Sequence, residues 1–366
     1  MRSLLAAAPI DLPRIEEVHL DGRVFWFAFV LSAFTGVLFG LLPAWRASSA
    51  DPQDALRSGS RTATEGRGGL RIREALVALE VGLSATLLVA SGLLATSFVR
   101  LLNVDKGFDA SHLLAVKIGL SRNKYADSKA RDPYYTQLLA KLRNLPGVTS
   151  AAVGSQLPLE GETWVSMVRR EGDKRPLVQQ PVANYRFISP EYFRTLGIPL
   201  VAGRTFADGD RGRRVAVISE KIAREVWRGQ NPIGQKFYYN GDNEPISEVV
   251  GVVKDTLVGL DKKPVMAGYI PYWELTDGDM TAVLRTAMDP RAAAPAVRAA
   301  VWSIDPETVM GEMRTMDQVV SESVAQRRFQ MLLIVAFAGT ALLLAAIGIY
   351  GVVAWSVARR KNEIGI

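Results

Sequence analysis

Three long apolar stretches decide what this chain can fold into. Val24 to Trp45 reads VFWFAFVLSAFTGVLFGLLPAW and carries no charge. Leu76 to Val99 reads LVALEVGLSATLLVASGLLATSFV and carries one charge, Glu80. Met331 to Ala358 reads MLLIVAFAGTALLLAAIGIYGVVAWSVA, again uncharged. A helix of about 20 apolar residues crosses a hydrocarbon core, so each stretch predicts a transmembrane helix. A core helix of a soluble protein is usually shorter and apolar on one side only. Gly36, Gly40, Gly82, Gly92, Gly339, Gly348 and Gly351 lie inside the stretches, where small residues suit close packing of membrane helices. The hydrophobic fraction of 48% hides this signal, because a polar region averages it out.

Charge then orients the chain. Lys and Arg number 44 against 37 Asp and Glu, a net +7. In a soluble protein such an excess suggests nucleic acid. Here much of it flanks the apolar stretches, so no nucleic-acid partner is expected. Arg46, Arg57, Arg61, Arg67, Arg71 and Arg73 lie between the first two stretches, and Arg359, Arg360 and Lys361 follow the third. By the positive-inside rule both basic segments are cytoplasmic. The expected organisation follows. Residues 1–23 are the extracytoplasmic end of a preceding loop, 24–45 a transmembrane helix, and 46–74 a cytoplasmic linker. Residues 75–102 and 329–358 are transmembrane helices around an extracytoplasmic region, 103–328, and 359–366 return to the cytoplasm. Trp26, Trp45, Tyr350 and Trp355 sit near segment ends, where aromatic rings anchor to membrane lipid. The chain has no Cys, which excludes disulfides, thiolate metal sites and thiol redox chemistry. No secretory signal pattern opens it, and both ends read as cut from a longer chain.

The outside region alternates strand and helix periods. LLAVKIGL (Leu113 to Leu120) reads as a strand. A helix opens at Pro133 with Tyr135, Leu138, Leu139, Leu142 and Leu145 on one face, and Pro146-Gly147 ends it. VTSAAVGS (Val148 to Ser155) and SEVVGVVKD (Ser247 to Asp255) read as strands. A helix from Pro290 turns Val297, Val301 and Ile304 inward, and a last one starts near Thr315. Between these halves, Ser189 predicts the cap of a short helix in SPEYF. LGIPLVAGRTF is turn and strand, RRVAVISEKIAREVW passes from strand to helix with Ser219 as cap, and NPIGQKF is a turn into a strand. The fold class expected is a membrane protein: transmembrane α-helices plus an α/β (α+β) extracytoplasmic domain. That domain is an α/β part, 103–187 and 244–328, which the resemblance given below makes porter-like, with an inserted subdomain, 188–243. In the linker, Asp51 and Pro52 predict a short helix start.

Little supports catalysis. His19 and His112 lie far apart with no metal-spaced partner. No GxxxxGK[ST], HExxH or GxSxG run occurs, so no catalytic, cofactor or metal site is expected. The pairs Glu160/Glu162 and Asp208/Asp210 read as solvated loop acids, with weak cation binding as the other reading. Glu80 is the one ionisable group within a membrane stretch, a costly position. It either snorkels or bonds to Ser or Thr of a neighbouring helix, or it has a packing or coupling role. The final RRKNEIGI mixes charge with Ile364 and Ile366. It is either a plain stop-transfer flank or a segment lying on the membrane face with an apolar stripe for a soluble partner.

Read together, the motifs resemble a known family. IGIYGVVAWSVARRKNEIGI (Ile347 to Ile366) resembles the FtsX-like permease domain of the MacB family, and LPAWRASSADPQDALRSGSR (Leu42 to Arg61) looks like the end of another. LLATSFVRLLNVDKGFD, YFRTLGIPLVAGRTF, VAVISEKIAREVW, NPIGQKF, VVGVVKD and RTMDQVV resemble a MacB-type periplasmic core domain. This order is similar to the duplicated permeases of acidobacteria. The resemblance implies a non-catalytic permease subunit in the bacterial inner membrane, multi-pass, with its large domain in the periplasm. It implies a separate ATP-binding cassette ATPase, a homodimer or a pseudo-dimer between permease repeats, and a periplasmic adaptor as a further partner. EIGI would open the coupling helix that docks on the ATPase, assigning Arg359, Arg360, Glu363, Ile364 and Gly365 to that contact. The function implied is efflux or mechanotransmission: ATP hydrolysis by the partner moves the outside domain. Glu80 departs from the family, where a Gln is frequent. The alternatives are an extracytoplasmic sensor, which needs a signalling module after the last helix, and a scaffold regulating cell-wall hydrolases.

Overall fold

The computed structural model describes residues 22–48, 67–239, 246–274 and 279–364. Its helices are α1 (Gly22–Ser48), α2 (Arg67–Leu102), α3 (Ser128–Arg143), α4 (Tyr192–Leu196), α5 (Glu220–Trp227), α6 (Ala294–Trp302), α7 (Met316–Ser323) and α8 (Ala325–Ile364). The strands are β1 (Leu113–Gly119), β2 (Val148–Gly154), β3 (Trp164–Met167), β4 (Arg169–Arg170), β5 (Val182–Ile188) and β6 (Leu200–Gly203). They continue with β7 (Val215–Ser219), β8 (Lys236–Tyr238), β9 (Ser247–Val253), β10 (Ala267–Pro271), β11 (Asp279–Thr286) and β12 (Val309–Thr315). The chain divides into two units, one of flanking helices and one spanning Phe98–Ala325.

In the second unit all 12 strands belong to one sheet, in the order β12-β1-β11-β2-β5-β10-β7-β9-β8-β4, with β3 on β5 and β6 on β9. Side-chain alternation along each strand sorts its residues onto two faces. On one face Leu114, Val116 and Ile118 of β1 meet Tyr135, Leu138, Leu139 and Leu142 of α3 and Val297 and Val301 of α6. On the other, Leu113 and Ala115 meet Tyr192, Phe193 and Leu196 of α4 and Met316 and Val319 of α7. Strand β7 splits likewise. Val215 and Val217 join that second core, while Ala216 and Ile218 join a third with Ile222 and Trp227 of α5. Residues 188–243 therefore add β6, β7 and β8 to the common sheet rather than forming a sheet of their own.

The strands read at 113–120, 148–155 and 247–255 are present, as is the strand-to-helix passage at Ser219. Its hydroxyl accepts from the Ile222 amide at 3.4 Å, the cap that the sequence marks. Two helix starts differ. Helix α3 begins at Ser128, not Pro133, because Asp127 caps it through the Ala130 amide; Pro133 only removes one backbone donor inside it. Ser189 caps nothing. Its hydroxyl accepts from the Val153 amide at 3.1 Å in the sheet, and α4 starts at Tyr192 with no side-chain cap. Near Thr315 the helix is α7, closed by a capping box with Gln318, and the chain breaks at Val324 before α8.

In the flanking unit, two helices among the described residues are long and apolar enough to cross a membrane, over Ala78–Leu102 and Ala325–Gly351. The stretch read at 24–45 is helical within α1, with a shorter apolar run, Gly22–Phe34. His19, the short helix read at 51–59 in the linker and Gly365 lie outside the described residues.

Candidate functional site

Helices α2 and α8 pack through their small and polar residues. On α8, Ala338, Ala345 and Gly348 recur every three to seven residues and so share a face; Ala338 and Ala345 are buried. On α2, Ser84 and Ser91 are buried and lie on the face of Glu80. The Ser84 hydroxyl donates to the Ala341 carbonyl at 3.1 Å, one hydrogen bond between the two helices. The Ser91 hydroxyl instead donates to Leu87 of its own helix at 2.7 Å. Glu80 reaches Gly348: a Cβ added there would lie 2.9 Å from its Oε2. Glu80 therefore meets a glycine, not the Ser or Thr expected as one reading. The bare backbone at Gly348 is what leaves room for a carboxylate at this crossing. Ser84 was missed because a lone serine in an apolar run carries no periodic signal.

The proposed coupling residues lie at the far end of α8. Its backbone runs helically through Arg359, Arg360, Glu363 and Ile364, while Gly365 lies beyond the described residues. Arg359 to Ile364 thus continue the helix that carries Gly348, one turn after another, and are not brought near Glu80 by the sequence spacing alone.

At the other end, the last turn of α2 belongs to the α/β unit. Phe98 and Leu101 pack in a small cluster with Leu159, Leu257 and Leu260, joined by Val320 and Val324 from the exit of the domain. The entry and exit of the α/β domain thus share one apolar knot. Polar contacts tighten it. Asp105 pairs with Lys254, and the Leu257 amide donates to the Lys106 carbonyl at 3.3 Å. The Lys254 ammonium beside Asp105, with the Gly107 amide, holds its carboxyl below the usual carboxylate range. Gly107 adopts φ 76°, and a methyl there would run into the Asp255 carbonyl.

Of the acidic pairs, Asp210 is not a solvated loop acid. It is 2% exposed and receives both terminal nitrogens of Arg204, at 2.6 and 2.7 Å. It also accepts from the Ala207 amide, and Arg204 chiefly holds its carboxyl below the usual range. A bidentate guanidinium is the usual answer to a buried carboxylate. Glu160 is tied locally, accepting from the Leu157 amide at 3.0 Å. His112 sits at φ 55° with Nδ1 3.3 Å from the Met288 carbonyl. Among the described residues no group of three or more His, Asp or Glu side chains is arranged to hold a metal ion.

These features define a class: an α/β domain flanked in sequence by two apolar helices of membrane-crossing length. The chain belongs to the family of the MacB-like periplasmic core domain, which it matches over residues 75–304. It is similar to the uncharacterized ABC transporter permease YknZ of Bacillus subtilis (strain 168). The two are 26% identical over 188 residues, 49% of this chain and 46% of that protein. It is also similar to the macrolide export ATP-binding/permease protein MacB of Aggregatibacter actinomycetemcomitans, 25% identical over 196 residues, 50% of this chain and 30% of that protein. Among solved structures, the periplasmic region of MacB from Actinobacillus actinomycetemcomitans aligns with TM-score 0.41 and 16% identity, covering 60% of this chain and 95% of that one. The extracellular domain of the noncanonic ABC-type transporter YknZ from Gram-positive bacteria aligns with TM-score 0.34 and 17% identity, covering 50% and 88%. The alignments cover just under half the length of the first curated relative and under a third of the second. The expected MacB-type core domain is thereby borne out.

Proposed function

We propose that this chain is the domain-bearing segment of a MacB-like ABC transporter permease in the bacterial inner membrane, with its α/β domain in the periplasm. In this reading a partner ATPase docks at Arg359, Arg360, Glu363, Ile364 and Gly365. Its ATP cycle then moves the outside domain, for efflux or for transmission of force to a periplasmic adaptor. The permease works as a homodimer or as a pseudo-dimer of duplicated repeats. The family match and the two named ABC relatives support the class.

One observation carries the mechanical part. The last turn of α2 and the segment just before α8 meet in the same apolar knot, Phe98 and Leu101 with Val320 and Val324. The entry and exit segments of the domain are therefore joined to each other at its base. The Ser84–Ala341 hydrogen bond ties the same two helices further along. A spanning helix of about 24 residues is roughly 36 Å long, so a small tilt at one end displaces the other end measurably. Glu80 over Gly348 would set the register of that pair.

The test is cross-linking between paired cysteines in the α/β domains of the full-length permease with its ATPase, with and without ATP. The reading expects a pattern that changes on ATP binding and stays fixed when the ATPase cannot bind nucleotide. An ATP-independent pattern counts against it. The sensor and scaffold alternatives have no observation of their own in their favour.

A further inference from the structure

The face of the sheet that carries α4 and α7 is not covered along its whole length. Beyond Ala115 on β1, the floor formed by β12, β1 and β11 opens into a cleft of about 420 Å³. Lys117, Thr281, Glu312 and Arg314 lie on that floor, and Gln156 and Glu160 on its wall. Register explains the grouping: Lys117 stands opposite Thr281, and Ala115 opposite Arg314. These residues, from Lys117 to Arg314, are scattered over about 200 positions of sequence and meet only because β1 is central between β11 and β12.

The wall is built before any ligand arrives. Gln156 donates to the Glu160 carbonyl, and the Thr163 hydroxyl donates to the Gln156 carboxamide, both at 2.9 Å. The loop is also fixed to its neighbours, by the Leu159 amide on the Leu257 carbonyl and the Gly161 amide on the Val258 carbonyl, both at 3.0 Å. A preformed pocket spares a ligand the cost of ordering it.

The two cations and two carboxylates that line the cleft are not paired one to one. Lys117 is paired to Asp279 at 3.5 Å. Arg314 lies between two carboxylates, Glu322 at 2.8 Å and Glu160 at 3.7 Å. Both cations are thus already answered, while Glu312 has neither a hydrogen bond nor an ion pair among the described residues. Thr281 is a second, independent sign. It is 7% exposed, borders the cleft, and its hydroxyl has no partner among the described residues. The hydroxyl oxygen itself is not fully buried, so it opens onto the cleft. Ala115, Val116 and the stems of Lys117 and Arg314 add apolar surface beside these acceptors.

We propose that this cleft binds a small organic cation, a protonated amine on an apolar body. Glu312 receives the ammonium, Thr281 accepts a further hydrogen bond from it, and the apolar body lies on the β1 floor. An anionic ligand is disfavoured because both basic side chains already have carboxylate partners. The proposal rests on the α/β domain alone and does not depend on the coupling reading.

Equilibrium dialysis of the full chain in detergent micelles, with radiolabelled tryptamine at neutral pH, tests it. Protein-free micelles correct for partitioning. The expected result is saturable binding at one site, not competed by tryptophol, the uncharged counterpart. Glu312→Gln is expected to weaken binding about tenfold, the worth of a hydrogen bond to a charged group. Thr281→Val should weaken it less. Lys117→Met, which removes a like charge, should leave binding intact or tighten it. Glu312 is an exposed edge-strand residue, so its variant folds as the parent does, and matched melting curves verify that. Uptake equal to that of empty micelles overturns the proposal. So does saturable binding that Glu312→Gln leaves unchanged, or equal competition by tryptophol.

Discussion

Glu274 is a titrating residue whose surroundings bear directly on stability. Burial pushes its carboxyl up to about 7 from an ordinary 4.5, against the smaller opposing pulls of the Val215 amide and Arg214. Its Oε1 accepts weakly from Val215 at 3.4 Å, and its Oε2 is buried without a partner. Between these two pH values the folded state holds a proton that the unfolded state has released. Stability therefore falls as pH rises from about 4.5 through about 7. The slope is at most about 1 kcal/mol per pH unit once solvent screening is allowed for. Thermal melts at pH 5 and pH 8 should show the loss, and Glu274→Gln should flatten it. An unchanged slope in that variant would assign the loss to other groups. Gly107 makes a second residue-scale case. Its φ of 76° and the Asp255 carbonyl beside it leave no room for a methyl, and side chains rarely adopt that backbone. Gly107→Ala is expected to cost about 2 to 3 kcal/mol in chemical denaturation. A loss below half of that would mean the base of the domain yields easily.

At the scale of elements, the sequence marked what periodicity and caps can mark. Strand β1 and helix α3 announce themselves through alternating and helical apolar spacing, and β7 passes to α5 at a serine that does cap. The strands left unread have no such signature. Strand β11 is buried on both faces at most positions, and the apolar run Ala282-Val283-Leu284 interrupts the alternation of Asp279, Thr281 and Arg285. Strand β4 has two residues, and β10 ends on Pro271. The union of all strands in one sheet was equally hidden, because pairings such as β5 with β10 join residues some 80 positions apart. Among site residues, Glu80 stood out by its charge, whereas its meeting with Gly348 needed the helix pair itself. That pair yields a prediction. Gly348→Val puts a branched side chain where Oε2 of Glu80 now lies, and Glu80 must then swing out of the crossing. Helix association should weaken by about 1 kcal/mol. A cysteine pair at Ser84 and Ala341, whose side chain and backbone are now hydrogen-bonded, reports the change. Its cross-linking yield should fall in the Gly348→Val background. An undiminished yield would mean the crossing tolerates bulk and that Glu80 has no packing role.

At the scale of the whole molecule, the coupling reading depends on which side of a bilayer the α/β domain faces. The two spanning-length helices flank it in sequence, so two crossings place both of their outer ends on the domain's side. In the proposed orientation the basic residues Arg67, Arg71 and Arg73, before one apolar run, and Arg359, Arg360 and Lys361, after the other, lie at the opposite, cytoplasmic ends. Long domains cross regardless of their own charge, so the many arginines of the α/β unit do not oppose this. The absence of cysteine makes the question directly answerable, since any thiol introduced is the sole one in the chain. A cysteine at the exposed Arg122 or Lys129 of the α/β domain should react with a membrane-impermeant maleimide in intact spheroplasts. One placed at Ser60 in the linker should react only after the cells are opened. The reverse pattern would put the domain beside the proposed ATPase instead of across the membrane from it. No tilt of α2 or α8 would then carry motion from one compartment to the other.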